Sequence, residues 1–87
     1  EPAVLQIEAQ LNNLLGWILT DQNNLEEALY HYEKSLLIAK KHNDTEFYKY
    51  VSCDRAELLG RMGKREEALK HFRRLEYTSC SLSRWYD

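Results

Sequence analysis

The chain has 87 residues, of which 44% are apolar and 30% charged, an ordinary globular composition that argues against disorder. Its net charge of −2 gives no general attraction to nucleic acid. No apolar run approaches the roughly 18 residues of a membrane span, and no secretory leader pattern is present. We therefore expect an intracellular protein, cytoplasmic or nuclear, with no membrane contact. Because the chain opens on Glu1 and not on Met, we expect it to be a piece of a longer protein.

Helical spacing marks the first two predicted elements. The first helix is predicted to begin near Pro2, which suits a first helical turn. Its large apolar residues recur at spacings of three and four, which predicts one stripe facing the core. The stripe consists of Leu11, Leu14, Leu15, Ile18 and Leu19. After a polar break, Asn24 and Glu27 fit a capping box that opens a second helix, and basic residues at 40–42 suit its C-terminal end.

Stop and cap signals delimit two further helices. Asn43 can adopt the left-handed stop conformation, and Asp44 or Thr45 can cap a third helix that ends at Gly63. A fourth helix is predicted from about residue 64 to near residue 79. The loops are only a few residues long, so consecutive helices must pack as antiparallel hairpins. The large apolar residues of the tail favour a packed cap helix, the alternatives being the start of another repeat or a simple chain end.

A forty-residue self-similarity organises these four helices. The run Glu-Glu-Ala-Leu at 26–29, followed by a histidine and an aromatic residue, returns at 66–69 with the same followers. A fixed period of this size indicates a repeat architecture in which one helical hairpin is copied and stacked. The register pairs Gly16 with Ala56, because each stands twelve residues before the alanine of its run.

These residues resemble the tetratricopeptide repeat family. The matching residues are Leu15, Gly16, Leu19, Ala28 and Tyr32 in the first copy, and Ala56, Leu59, Ala68 and Phe72 in the second. The period exceeds the usual 34 residues, so the resemblance is to the long-repeat subclass of about 40 residues, with the extra residues around 41–47 lengthening the two middle helices. The early Trp and the terminal Pro of the family pattern are missing.

The resemblance implies an all-α fold in which antiparallel helical hairpins stack as an α-α superhelix. It predicts a single domain over residues 1–87. Repeat 1 would span about 3–43 and repeat 2 about 44–80, with a tail or cap at 81–87.

In such solenoids the first helix of each hairpin lines a concave groove that holds a peptide or helix. The resemblance therefore implies a groove lined by residues of helices one and three that lie off the core stripe: Gln10, Asn13, Trp17, Thr20, Tyr50, Cys53, Asp54, Glu57 and Arg61. Trp17 is the leading anchor, because an aromatic side chain on a polar face can bury a large apolar area. The alternative is that Trp17 packs against a neighbouring helix. The basic clamp of family members that bind acidic tails is missing, which disfavours that ligand.

Nothing in the sequence points to catalysis. There is no nucleophile elbow, phosphate loop or paired-carboxylate motif, and neither histidines nor cysteines have the spacing of a closed zinc site. We expect no enzyme activity, no cofactor and no metal. Cys53 and Cys80 lack a CxxC spacing, so both are expected as reduced thiols. An RNA-binding helical repeat would need a basic concave face, and no nucleic-acid partner is predicted.

The prediction for function is a protein–protein interaction module of a scaffold or adaptor, binding a peptide or helix on its concave face. The alternative is a structural segment of a longer solenoid, or a self-association module, with no ligand of its own. The exposed apolar ends of a two-repeat stack make that alternative physically reasonable, because solenoids need polar caps for solubility.

Overall fold

A computed structural model describes residues 2–74 as four consecutive α-helices joined by short turns. They are α1 (Pro2–Asp21), α2 (Leu25–Lys41), α3 (Thr45–Arg61) and α4 (Arg65–Arg74). Each helix packs on the next one along the chain, so the all-α hairpin fold predicted from the sequence is confirmed. The predicted end of the fourth helix near residue 79 and the tail at 81–87 lie outside the described residues, and the bounds of the two repeats stay a prediction.

The three turns between the helices share one length and one conformation. Each spans three residues, and the central one has a positive φ: 65° at Asn23, 55° at Asn43 and 83° at Gly63. The last N–H of each turn donates to the carbonyl five residues earlier, at 2.8 Å from Asn24 to Leu19, 3.0 Å from Asp44 to Ala39 and 2.8 Å from Lys64 to Leu59. This is the Schellman way of ending a helix. The forty-residue period therefore contains two helix–turn units of twenty residues each.

The extra length of the repeat lies in the helices, as predicted, since α2 and α3 each have 17 residues while the turn between them keeps three.

The N-caps of α2 and α3 differ. Asp44 Oδ1 accepts from the Phe47 backbone N–H at 3.2 Å, the expected N-cap of α3. Asn24 precedes α2 without a side-chain cap bond, and its amide Nδ2 donates to Gln22 Oε1 at 3.4 Å. The predicted capping box at Asn24 is wrong.

The apolar core lies on two sides of α3, one facing α2 and the other facing α4. One cluster joins α2 to α3 through Ala28, Tyr32, Val51 and Leu58. A second joins α3 to α4 through Ala56, Leu59, Ala68 and Leu69. Burying one large aliphatic side chain contributes about 1.5–3 kcal/mol. Because α3 contributes residues to both clusters, it is the central element of the described fold.

Helix α1 packs on α2 through small and polar residues and not through its leucines. Its buried residues are Ala9, Asn12, Asn13 and Gly16. A Cβ atom on Gly16 would overlap the Tyr32 ring, so only glycine permits this close approach. Of the predicted stripe, Leu11, Leu14, Leu15 and Ile18 are 42–54% exposed, and only Leu19 is partly buried. At about 100° per residue, the exposed and buried sets lie on opposite sides of α1. The prediction that this stripe faces the core is wrong.

Polar contacts fix the first hairpin. The buried Ser35 hydroxyl donates to the Ala9 carbonyl at 2.7 Å, and His31 Nδ1 hydrogen-bonds to Asn12 Oδ1 at 2.8 Å. Because buried polar groups are costly unless they are paired, these bonds set how α2 lies on α1.

A second polar network ties together α2, α3 and α4. Arg55 donates from Nη2 and Nε to Glu33 Oε2 at 2.9 and 3.2 Å, and from Nη1 to His71 Nε2 at 3.0 Å. His31 and His71, which correspond at the forty-residue offset, thus each hydrogen-bond to a residue of the preceding helix. Among residues 2–74, no group of His, Cys, Asp and Glu side chains could hold a metal ion.

Candidate binding groove

Side chains of α1 and α3 meet above the buried Tyr32 of α2 and line an open cavity of about 310 Å³. The lining residues are Trp17, Thr20, Asp21, Tyr32, Asp54, Glu57 and Arg61. Trp17 and Thr20 are brought to one wall because they are three residues apart on α1, and Asp54, Glu57 and Arg61 share one side of α3 for the same reason.

Asp54 is the centre of the contact between the two helices. Its Oδ2 accepts from Trp17 Nε1 at 2.8 Å and from Asn13 Nδ2 at 3.1 Å. Both donors come from α1, four residues apart and so on one face of the helix. The carboxylate therefore fixes the indole ring and the position of α1 relative to α3.

Aromatic rings extend this wall along α3. The Trp17 and Tyr50 rings meet edge to face with centroids 6.2 Å apart, and Tyr50 lies 6.1 Å from Phe47. Trp17 and Tyr50 remain 43% and 40% exposed. An exposed ring whose orientation is already fixed can bind an apolar side chain with little loss of conformational entropy.

The electrostatics of the groove are acidic. Burial raises the pKa of the Asp54 carboxyl, the hydrogen bonds from Asn13 and Trp17 partly oppose that shift, and Glu57 adds to it. Burial likewise raises the pKa of the Tyr50 hydroxyl, with a smaller contribution from Asp54. The cavity wall carries three carboxylates and one guanidinium, that of Arg61. Such a wall favours a cationic ligand over an anionic one.

The structure brings most of the predicted groove residues together. Trp17, Thr20, Asp54, Glu57 and Arg61 line the cavity, and Asn13 and Tyr50 adjoin it. Gln10 is exposed on α1 and is not among the lining residues. Cys53 is buried and disulfide-bonded, so it does not face the cavity, and the expectation of a reduced thiol is wrong at this residue.

Sequence reasoning missed two lining residues and a second hollow. The predicted groove left out Asp21 and Tyr32, which both line the cavity, although the four-residue spacing of Trp17 and Asp21 on one helix was a usable signal. A hollow of about 380 Å³ lies where Ala9, Ile38, Ala39 and Phe47 meet. The small side chains of Ala9 and Ala39 were the sequence signal for this second hollow.

Comparison with known proteins gives one result. A family model described as tetratricopeptide repeat matches residues 7–76, which is more than half of the chain. Searches of curated proteins and of solved structures each return no significant match. Within residues 2–74, no helix combines the length and the hydropathy that a membrane span requires.

Proposed function

The chain belongs to the tetratricopeptide repeat family, and on that premise we propose that it binds a positively charged peptide or helix in the groove between α1 and α3. Proteins of this family act typically as non-catalytic protein-interaction modules, and no enzyme role is proposed. The observation that carries the proposal is the Trp17–Asp54 pair, in which a half-exposed indole is held by a carboxylate of the facing helix. The module would serve within a scaffold or adaptor.

The ligand chemistry follows from the two parts of the groove. An apolar side chain of the peptide would lie against the Trp17 and Tyr50 rings, where burial of aromatic surface is most favourable. A neighbouring lysine or arginine would reach the carboxylates of Asp54 and Glu57. A carboxylate can accept about four hydrogen bonds, so Asp54 keeps acceptor capacity beyond its two bonds from α1.

Fluorescence anisotropy with two labelled peptides tests this function. Both peptides carry one central leucine, flanked by lysines in the first and by glutamates in the second. The chain is expected to bind the lysine-flanked peptide and to leave the glutamate-flanked one free. Trp17→Ala and Glu57→Lys are each expected to weaken binding at least about tenfold, which corresponds to about 1.4 kcal/mol.

Matched variants control for general effects of these substitutions. Tyr30→Ala removes an aromatic side chain that is 59% exposed on α2, and Glu66→Lys reverses a charge on α4 away from the cavity. Both are expected to bind as the unmodified chain does. Equal affinity of the Trp17→Ala variant for the lysine-flanked peptide would contradict the groove assignment.

Three further sequence-based predictions bear on this function. The alternative role, a structural or self-association segment, is supported by the exposed apolar residues of α1. The intracellular location stays a prediction, and the bonded state of Cys53 weighs against it, because disulfides are rare in reducing compartments. The acidic lining of the groove favours a protein partner over a nucleic acid.

A further inference from the structure

The second hollow lies where the N-terminal half of α1, the C-terminal end of α2 and the start of α3 meet. Its apolar walls are formed by Ala9, Ile38, Ala39 and Phe47, and its volume is about 380 Å³. An apolar cavity of about 150 Å³ is already large enough to bind benzene. The second hollow therefore has room for an aromatic or large aliphatic side chain.

Fixed packing shapes the second hollow before any ligand arrives. Ala9 and Ala39 are buried, and their short side chains leave the space between the helices unfilled. The Ser35 hydroxyl donates to the Ala9 carbonyl at 2.7 Å, which holds α1 on α2 at this level. Asp44 caps α3 through the Phe47 backbone N–H, which fixes the start of the third wall. A site that is formed in advance binds with little loss of conformational entropy.

The second hollow and the acidic cavity lie along the same side of the helices. On α2, Ala39 lines the hollow and Tyr32 lines the cavity, seven residues away. On α3, Phe47 and Asp54 line the two sites and are also seven residues apart. Seven residues make close to two helical turns and therefore return to the same side, about 10.5 Å along the axis. Both sites thus belong to one groove between α1 and α3.

Aromatic rings connect the two sites within this groove. The Phe47 ring, in the wall of the second hollow, lies 6.1 Å from the Tyr50 ring, which lies 6.2 Å from the Trp17 ring at the cavity. No lysine or arginine is among the residues that line the second hollow, whereas the Asp44 carboxylate is. A lysine-bearing peptide that suits the cavity is therefore also compatible with the hollow.

A further repeat stacked before α1 would not fill the second hollow. The hollow is formed by α1 and α2 of the first repeat together with α3 of the second, so both of its sides are already in place. Ala9 and Ile18 are nine residues apart and so lie on opposite sides of α1, at about 100° per residue. A preceding repeat would cover the side of Ile18 and leave the side of Ala9 as it is.

The second repeat has polar residues at the corresponding positions. At the forty-residue offset, Ala9 corresponds to Lys49 and Ile38 corresponds to Thr78. The apolar lining is therefore not a requirement of the helical hairpin as such. It is a particular property of the first repeat, as expected for a binding site and not for a structural position.

We propose that the second hollow binds an aromatic or large aliphatic side chain of the same peptide whose first apolar residue lies against Trp17 and Tyr50. The inference rests on the groove function proposed above and adds a second apolar residue and a spacing to its ligand. Asn13 and Trp17 of α1 bond directly to Asp54 of α3, and this narrow floor favours an extended chain over an α-helix about 10–12 Å wide. Three residues of an extended chain, at about 3.3 Å each, cover the distance between the two sites.

Fluorescence anisotropy with a set of labelled peptides tests the second hollow. The reference is the lysine-flanked peptide with one leucine, and two further peptides carry a phenylalanine three residues before or three residues after that leucine. The direction of the chain decides which phenylalanine reaches the hollow, so at least one of the two is expected to bind at least about tenfold more tightly than the reference. A fourth peptide, with the phenylalanine next to the leucine, is expected to gain less than about threefold.

A matched pair of variants locates the gain in affinity. Ile38 contributes to neither core cluster, so Ile38→Ser removes an apolar wall of the hollow without opening the core. It is expected to abolish the gain from phenylalanine and to keep the affinity for the reference peptide. Leu37→Ser is the control, since Leu37 is exposed on α2 and lies outside the lining of the hollow. It is expected to keep the gain, and circular dichroism of both variants checks that their helix content is unchanged.

The second hollow and the groove function can fail separately. Binding of the reference peptide with no gain from either spaced phenylalanine would overturn the second hollow as a binding site and leave the groove function in place. An equal gain from the adjacent phenylalanine, or a gain that Ile38→Ser does not reduce, would overturn it as well. No binding of any lysine-flanked peptide would overturn the groove function, and the inference with it.

Discussion

Helices α1 and α3 occupy equivalent places in the two repeats, yet α3 buries an apolar side that the corresponding side of α1 leaves exposed. Gly16 and Ala56 correspond and are both buried. Leu11 is 54% exposed whereas its counterpart Val51 is fully buried. The register of the two helices is the same, so the difference lies in their surroundings.

The number of neighbouring helices explains the difference. α3 packs on both α2 and α4, whereas in the described part of the chain α1 packs extensively on α2 alone. Burial at a repeat position is therefore decided by the neighbour that covers it, as expected for a solenoid in which each unit contacts only adjacent units. The comparison can be tested position by position.

The largest expected effect concerns the equivalent pair Leu58 and Ile18. Leu58→Ala creates a cavity in the α2–α3 core and is expected to lower the free energy of unfolding by about 2–5 kcal/mol. Ile18→Ala, at a position that is 45% exposed, is expected to lower it by less than about 1 kcal/mol. Urea denaturation at a concentration where the chain is monomeric measures both. Equal losses of unfolding free energy would contradict the difference in burial between α1 and α3.

The next effect concerns the contact that lets α1 approach α2. Alanine normally stabilises a helix interior relative to glycine by about 1 kcal/mol. Gly16→Ala is nevertheless expected to destabilise the chain by about 1–3 kcal/mol, because the new Cβ overlaps the Tyr32 ring.

A double-mutant cycle with Tyr32→Leu isolates that contact. The loss caused by Gly16→Ala is expected to shrink when the ring is absent. A stabilising Gly16→Ala would contradict the described packing of α1.

A smaller effect concerns Asp54, which has the apolar Leu14 as its counterpart in α1. Burial raises the pKa of Asp54 above its ordinary value of 3.8, so the folded chain holds this proton more tightly than the unfolded chain. The contribution of Asp54 to stability therefore falls as the pH rises from its unfolded pKa through its folded pKa. Relative to Asp54→Asn, the unmodified chain is expected to lose stability as the pH rises above the ordinary pKa of this carboxyl.

Urea titrations at increasing pH provide the measurement. Asp54→Ala serves as a second variant, and it is expected to lower stability by about 1–3 kcal/mol because the donors of Asn13 and Trp17 lose their acceptor. If the unmodified chain instead became more stable relative to Asp54→Asn as the pH rises, that result would contradict the burial of this carboxyl.

The smallest effect concerns the turn residues that repeat every twenty positions. Gly63 has a φ of 83° with open space around it, so Gly63→Ala is expected to cost about 1 kcal/mol through backbone strain alone. Gly63→Asn is expected to cost less, since Asn23 and Asn43 hold the same conformation in the other two turns. Thermal unfolding of the two variants gives the order, and the reverse order would contradict the equivalence of the turns.

The helices and their order could be predicted from the sequence because their signals are local. Asn43 and Gly63 end their helices in the left-handed conformation, and Asp44 caps α3. The forty-residue self-similarity pairs Gly16 with Ala56, and both residues are buried. The family resemblance, together with positions off the apolar stripe, placed Trp17 and Thr20 in the predicted groove, and both line the cavity.

The orientation of α1 could not be predicted because periodicity cannot tell which of two opposite faces is covered. Its leucines form a good stripe, yet the close contact between Gly16 and Tyr32 turns the small residues inward. The role of Asp54 was missed in the same way, since its bonds to Asn13 and Trp17 join residues about forty positions apart. Such contacts depend on tertiary packing and not on local pattern.

The most direct test of the groove uses the indole N–H of Trp17, observed by nuclear magnetic resonance and assigned with Trp17→Phe. This proton donates to Asp54 at the wall of the cavity. Titration with the lysine-flanked peptide is expected to move the Trp17 resonance saturably, and Asp54→Asn is expected to reduce that response. Binding of the peptide with an unmoved Trp17 resonance would contradict the account.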